Sequence, residues 1–232
     1  MKVNLLRYTA DAELLCGAAA LTSSKSGSPS KIFEKMDKEN AKRIIKRVTG
    51  YGHVSVIEHA SFTFSIEGVS RAMTHQLVRH RIASYTQQSQ RYVTYDTVEK
   101  FVTPPSIENN AESKEIFDRT LEHISETYRK LLDLGTPKED ARFILPNAAK
   151  TNIIVTMNAR ELRHFFNLRC CARSQWEIRE VAIEMLKQAK KKAHALFENA
   201  GPSCVELGYC PEGKMKPPEC NVEEIRKRFR NL

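Results

Sequence analysis

Ser61-Phe62-Thr63-Phe64-Ser65-Ile66 spaces its three apolar residues two apart, so they share one face of an extended chain, and aromatic and β-branched types favour such a pleated surface. The spacing predicts a strand with one buried face. A second β-rich run, Thr151-Asn152-Ile153-Ile154-Val155-Thr156-Met157, lies far downstream, and Val3 and Leu5 alternate with polar neighbours like a short N-terminal strand. Helical patterns fill much of the rest. Ala41, Ile44, Ile45 and Val48 recur at helical spacing until Gly50 and Gly52. From about Glu112 to Leu134, Phe117, Leu121, Ile124, Tyr128 and Leu131 form one stripe, and Gly135 stands where a C-terminal cap belongs. Few strands and long helices predict the α+β class.

Local signals set the expected boundaries. Val69, Met73, Gln76, Leu77 and His80 follow a helical step, so the polar stretch after them is expected to begin at a helix C-terminus and continue as a loop, with extended chain resuming at Tyr92-Val93. Thr136-Pro137-Lys138-Glu139 reads as a capping box with proline at the first helical position, and Pro146 ends that helix. Asn158 with Glu161 caps a helix from Ala159. Ser174 with Glu177 repeats the pattern for a helix carried by Ile178, Val181, Ala182, Met185, Ala189 and Ala193 to about Glu198, before Gly201-Pro202. Ser23-Ser24-Lys25-Ser26-Gly27-Ser28-Pro29-Ser30 reads as a loop.

Composition bounds the function. The 232 residues carry 37 Lys+Arg against 28 Asp+Glu, so 37 − 28 gives +9, which excludes basic partners and leaves nucleic acid, an anionic membrane surface, phosphorylated small molecules or a solvated basic face. At 41% hydrophobic and 28% charged the chain encodes an ordinary packed core, in one large domain or two small ones. Leu14 to Ser24, the longest uncharged stretch near the N-terminus, falls short of the ~20 residues of a spanning helix. Arg7 and Asp11 interrupt any signal-peptide core, so a cytoplasmic protein with reduced thiols is expected.

One stretch concentrates chemistry: Arg79-His80-Arg81-Ile82-Ala83-Ser84-Tyr85-Thr86-Gln87-Gln88-Ser89-Gln90-Arg91. Guanidinium forks match phosphates bidentately, and hydroxyls and loop N–H groups complete an anion cradle. A solvated loop, nucleic acid and a phosphorylated small molecule all remain open. On the helix opened by Asn158, Leu162, Phe165 and Phe166 define an apolar face along which Arg169 projects, either snorkelling or aimed into a site. Arg160 and His164 form an i,i+4 pair beside it, and the helix N-terminus is itself an anion site. His53 and His59 lack the spacing to share a metal, and Cys204, Cys210 and Cys220 contain no C-x-x-C pair and read as reduced thiols, so no metal is expected. Neither a P-loop, a G-x-G-x-x-G nor a nucleophile elbow is present.

Arg79-His80-Arg81, followed by seven residues and Ser89, resembles the signature of the flavin-dependent thymidylate synthases, the ThyX family. Gly52-His53, Glu58-His59, Phe62-Thr63-Phe64, Arg142-Phe143-Ile144-Leu145-Pro146, Met157-Asn158-Ala159-Arg160, Asn167-Leu168-Arg169 and Gln175-Trp176-Glu177 extend the likeness over roughly residues 50 to 180. The resemblance implies a single ThyX-like catalytic domain over residues 1–201, an antiparallel sheet flanked by long helices, with 202–232 a tail of unknown role. It implies reductive methylation of dUMP to dTMP, with methylenetetrahydrofolate as carbon donor, hydride from NADPH through FAD, and a homotetramer sharing its sites between subunits. Neither nucleic acid nor membrane is an implied partner. By the same resemblance Gln76, Leu77, Val78, Arg79, Gln87, Gln88, Ser89, Gln90, Arg91, Arg142 and Arg169 fall at dUMP-binding positions, with Arg169 also catalytic through polarisation of the uracil ring. Ser55, Arg79, His80, Arg81, Gln87, Asn158, Ala159, Arg160 and His164 fall at FAD-contacting positions; Gln87 stands where some members carry glutamate.

Overall fold

A computed structural model describes residues 1–232, the side chain of Val98 excepted. In chain order the elements are β1 (Lys2–Tyr8), α1 (Ala12–Thr22), α2 (Pro29–Glu34), α3 (Lys38–Gly50), β2 (Ser61–Ser70), α4 (Arg71–Leu77), β3 (Ala83–Gln87) and α5 (Pro105–Glu108). Then come α6 (Ala111–Asp133), α7 (Lys138–Ala141), β4 (Lys150–Asn158), α8 (Ala159–Arg169), α9 (Trp176–Lys192), α10 (His194–Phe197), α11 (Ser203–Leu207) and α12 (Val222–Arg230). The strands make one antiparallel sheet in the order β1-β2-β4-β3. This is the α+β architecture the sequence predicts.

Period-two patterning explains the two central strands: Phe62, Phe64 and Ile66 of β2, and Ile153, Val155 and Met157 of β4, are all buried while their neighbours are not. Several boundaries differ from expectation. Strand β2 runs on to Ser70 through Gly68, whose φ of +68° interrupts the alternation so that Val69 and Ser70 are both buried; Ser70 then caps α4, its hydroxyl accepting from Met73 N–H, so the helix expected from Val69 to His80 spans only Arg71–Leu77. The stretch expected to be a loop contains β3. Its polar side chains mislead, because β3 is an edge strand whose place is set by backbone pairing and not by side-chain burial. Tyr92 and Val93 are not extended; both N–H groups donate to the Ser89 carbonyl in a turn.

Gly135, at φ +86°, ends α6 as expected, with the N–H groups of Gly135 and Thr136 closing on the carbonyls of Leu132 and Leu131. Thr136 is thereby spent on α6, so Pro137 and not Thr136 stands at the N-cap of α7, which ends in a tight turn over Arg142–Ile144 before Pro146. Asn158 caps α8 as predicted, its side chain accepting from Glu161 N–H. At α9 the cap is Gln175, accepting from Glu177 and Ile178, while the Ser174 hydroxyl donates to the Leu168 carbonyl. Helix α9 stops at Lys192, and α10 restarts with Ala195 N–H donating to the Glu13 carboxylate. The serine-rich loop closes at Ser28, since Pro29 occupies the first turn of α2.

Contacts divide the chain into two units. The first comprises Met1–Lys2, Ile66–Arg79 and Thr86–Ile153, and its core gathers Tyr95, Phe101, Leu121, Tyr128, Ala141 and Ala149 around α6. The second comprises Val3–Ser65, His80–Tyr85 and Ile154–Leu232. There Phe62 meets Phe197 edge-on at 5.2 Å, and Phe197 meets Phe166 of α8 at 6.0 Å. Burying each such ring stabilises by roughly 1.5–3 kcal/mol. Helices α1 and α3 approach closely at Gly17, where a Cβ would stand 2.9 Å from the Ala41 Cα. Residues 202–232, read from the sequence as a C-terminal tail, lie in this second unit, where buried Lys190 of α9 donates to the carbonyl of Phe229 in α12 and, at 3.3 Å, to that of Glu198.

Candidate active site

Polar chemistry collects in one cluster within each unit. In the second unit the turn from β4 into α8 is fixed twice, by the Asn158 cap and by Ala159 N–H donating to the Ala60 carbonyl at 2.8 Å. From that start, helical periodicity carries Glu161 and Arg169 toward His80, with Phe165 packing edge-on against the imidazole at 5.0 Å. His80 is only 4% exposed; its Nδ1 lies 3.2 Å from Glu161 Oε1, and its Nε2 accepts from Arg169 Nε at 3.1 Å.

The tautomer follows from donor arithmetic. A guanidinium can only donate, so Nε2 must carry the lone pair, and Nδ1 carries the proton given to Glu161. Protonating Nε2 would set two N–H groups against each other. Burial first, then the positive charges of Arg169 and His164, accordingly hold the His80 imidazolium down at about 4. Burial also raises the Glu161 carboxyl, opposed by His164, and raises the Tyr85 phenol, whose hydroxyl donates to the His80 carbonyl at 2.8 Å. A neutral imidazole thus relays orientation from a carboxylate to a guanidinium.

A cavity of about 400 Å³ opens here, lined by Glu58, Ile82, Asn158, Arg160, Glu161 and His164. The Arg160 guanidinium is held by Glu58 at 2.5 Å. His80, Glu161 and His164 offer ligand atoms within 4.8 Å of one another, but the Arg160 and Arg169 guanidinium groups beside them disfavour a cation. Arginine, histidine and a helix N-terminus suit an anionic ligand instead.

In the first unit, Gln87 at the end of β3 donates to the hydroxyls of Thr74 at 3.0 Å and Thr151 at 3.3 Å. Arg71 donates to the Gln88 carbonyl at 3.0 Å, while its buried Nε has no protein partner. The Ser89 hydroxyl accepts from Arg91 N–H, tightening the turn. Arg91 pairs with the Glu139 carboxylate at 2.8 Å and Arg142 Nε donates to the Glu139 carbonyl at 3.0 Å, so two arginines distant in sequence meet at one residue.

Of the sequence-derived candidates, His80, Asn158, Arg160, His164 and Arg169 gather in the second unit, and Gln87, Gln88, Ser89, Arg91 and Arg142 in the first. Gln76 is half-buried on α4, and Leu77 is fully buried. Ala159 is buried with its N–H committed to Ala60. Val78, Arg79, Arg81 and Ser55 are exposed, and Gln90 is half-buried. Sequence reasoning missed Arg71, Glu58, Glu139 and above all Glu161, which was legible only as a capping partner of Asn158.

The sheet with its helices, the oriented arginine and the anion-binding groups define a nucleotide-handling enzyme. Residues 4–193 match the family described as "Thymidylate synthase complementing protein". The flavin-dependent thymidylate synthase of Geobacter sulfurreducens is 48% identical over 234 residues, spanning 100% of this chain and 99% of the relative. That of Pyrococcus horikoshii is 48% identical over 239 residues, spanning 100% and 98%. A solved Helicobacter pylori ThyX, complexed with FAD and dUMP, has a TM-score of 0.70 at 25% identity, covering 87% of this chain and 100% of that one. The UMP/dUMP methylase PolB of Streptomyces cacaoi, bound with 5-Br dUMP, gives 0.72 at 25% identity, covering 93% and 97%. The chain belongs to the flavin-dependent thymidylate synthases.

Proposed function

We propose that this protein converts dUMP to dTMP by reductive methylation, as an FAD-dependent methyltransferase that takes its carbon from methylenetetrahydrofolate and its reducing equivalents from NADPH and releases tetrahydrofolate. Its donor set fits the flavin nucleotide. Arg160 offers its guanidinium to a diphosphate beside the positive end of the α8 dipole, with Ser55, Arg79, Arg81, Gln87 and His164 as further contacts. When bound, FAD supplies the redox chemistry, passing on hydride from NADPH.

The observation that carries the reading is the Glu161–His80–Arg169 relay. Hydride delivery to C6 of uracil pushes negative charge onto the ring carbonyls, and a guanidinium already aimed stabilises that charge more than it stabilises the ground state. Arg169 is therefore the catalytic residue and His80 positions it. The dUMP phosphate goes to Arg91 and Arg142, with the Ser89 hydroxyl beside them. Gln76 to Arg79 and Gln87 to Gln90 complete the dUMP positions.

No helix among the described residues is long and apolar enough to cross a membrane. We place the enzyme in the cytoplasm, where its nucleotide and reduced cofactors occur. A homotetramer, sharing each active site between subunits, would cover aromatic and branched side chains that one chain leaves bare: Tyr92 is 76% exposed, Phe143 83% and Ile82 68%.

The test is a visible absorption spectrum of the purified protein before and after dUMP, followed by an assay for dTMP with NADPH and methylenetetrahydrofolate. A flavin spectrum perturbed by dUMP, with NADPH oxidation coupled to dTMP, is expected. A colourless protein inactive even with added FAD would overturn the reading.

A further inference from the structure

Every cysteine except Cys16 converges on one place. Cys170 and Cys171 follow α8, Cys204 lies in α11, Cys210 in the turn after it and Cys220 just before α12, and all five line one cavity of about 470 Å³. None is in a disulfide. Cys204 lies close enough to Cys171, Cys210 and Cys220 to feel their charge, and Cys220 that of Cys171 and Cys210. Cys170, by contrast, is buried on the inner side of this group beside Lys190 and Arg228.

The chain around these thiols has little else to hold it. From Glu206 to Asn221 every residue is exposed except Cys210, Pro217 and Cys220, so the only inward-facing groups of the segment are two thiols and a proline ring. Its other ties are modest: Arg163 pairs with Glu206 at 2.6 Å, and Arg173 pairs with Glu212 at the surface. A segment that buries so little apolar surface needs a staple to offset the entropy of ordering it.

We propose that Cys171, Cys204, Cys210 and Cys220 bind one zinc ion as a four-thiolate site that fastens residues 202–232 to the end of α8. Four soft ligands around one cavity match the closed tetrahedral coordination of structural zinc, whereas a disulfide would use only two of them. Arg179 and Arg228 line the same cavity and offset the net two negative charges of a zinc tetrathiolate. Tetrahedral Zn–S bonds of about 2.3 Å would draw the sulfurs to about 3.8 Å from one another. Among the described residues no three of these sulfurs lie within 4.8 Å, so binding closes the site and draws the segment inward, coupling metal to local folding. The four ligands escape the usual sequence pattern because they come from three separate irregular segments and the short helix α11.

The full-length protein, purified under reducing conditions without chelator, is expected to carry one zinc per chain, released by a thiol-reactive mercurial. Replacing zinc with Co2+ should give the intense near-ultraviolet sulfur-to-cobalt band and the tetrahedral visible bands of a tetrathiolate. C210S and C220S should each lose the metal, while C16A, remote from the cavity, keeps it. The outcomes that overturn the proposal are no Co2+ bound by the reduced wild-type protein, a pale octahedral spectrum, or metal retained undiminished in both serine variants. Should the variants fail to fold, the wild-type cobalt spectrum alone decides. The cobalt bands are read as a difference spectrum against the zinc form, in which flavin absorption cancels, and the metal content is read directly, so the result stands apart from the catalytic assignment.

Discussion

Arg169 and His80 hold each other through a single N–H···N contact, and that contact survives only while the imidazole is neutral. Removing the guanidinium in R169A should lower kcat by about 10²–10³. FAD content should be unchanged in the absorption spectrum, because Arg160, proposed to hold the flavin diphosphate, stands at the opposite end of α8 from Arg169. Loss of flavin from R169A would instead make the residue a cofactor ligand. The same contact sets a pH dependence. The His80 pKa is depressed in the folded state, from an ordinary 6.5 to about 4, so its stabilising contribution is complete above 6.5 and is lost as the pH falls toward 4. Urea midpoints at pH 7 and pH 5 should therefore converge in H80Q, which has no proton to gain, while the wild type is weaker at pH 5. An equal pH response in both proteins would count against the relay.

Elements show what local sequence can and cannot specify. Asn158 was readable because a cap and its partner are three residues apart, and N158A should cost about 1 kcal/mol and lower Tm by about 2–4 °C. G135A should cost about 1–2 kcal/mol, measurable in the urea midpoint, although nothing stands within 4 Å of the added Cβ, since the penalty lies wholly in the φ of +86°. The strand at Phe62-Phe64-Ile66 and the stripe of α6 were equally legible, because their periods report burial. Strand β3 was not, since an edge strand joins by backbone hydrogen bonds that polar side chains conceal. Nor was the cap at Gln175: whether it or Ser174 reaches the α9 amides depends on Ser174 donating to Leu168. The relay was half legible. Arg169 stood out as a charge on an apolar face, but its link to Glu161 passes through His80, which no local pattern reveals.

For the whole molecule, the excess of basic residues invites a rival reading as a nucleic-acid binder. Such binding would weaken steeply with salt and would resist competition by dUMP. Retention of RNA or DNA at physiological salt, undisturbed by dUMP, would favour that rival; the expected result is weak, salt-erased binding only. The charge itself was legible from composition, whereas its owner was not: Arg91 and Arg142 converge on Glu139 only after folding, and Arg160 is tied to Glu58. A homotetramer predicts a gel-filtration or light-scattering mass of four chains of 26.5 kDa each. Mass corresponding to one chain would leave the exposed Tyr92 and Phe143 without the cover assigned to them.

Burial pulls the Lys190 ammonium below the ordinary lysine range, and its acceptors include the carbonyl of Phe229, close to the last residue of the sequence. The order of synthesis gives that contact a meaning in time. While the ribosome is still adding α12, α9 holds an ammonium lacking one of its carbonyl acceptors, so this part of the core cannot settle until α12 itself has been made. A truncation that removes α12 would thus expose a nascent chain to quality control even though every residue of the Glu161–His80–Arg169 relay had already been made.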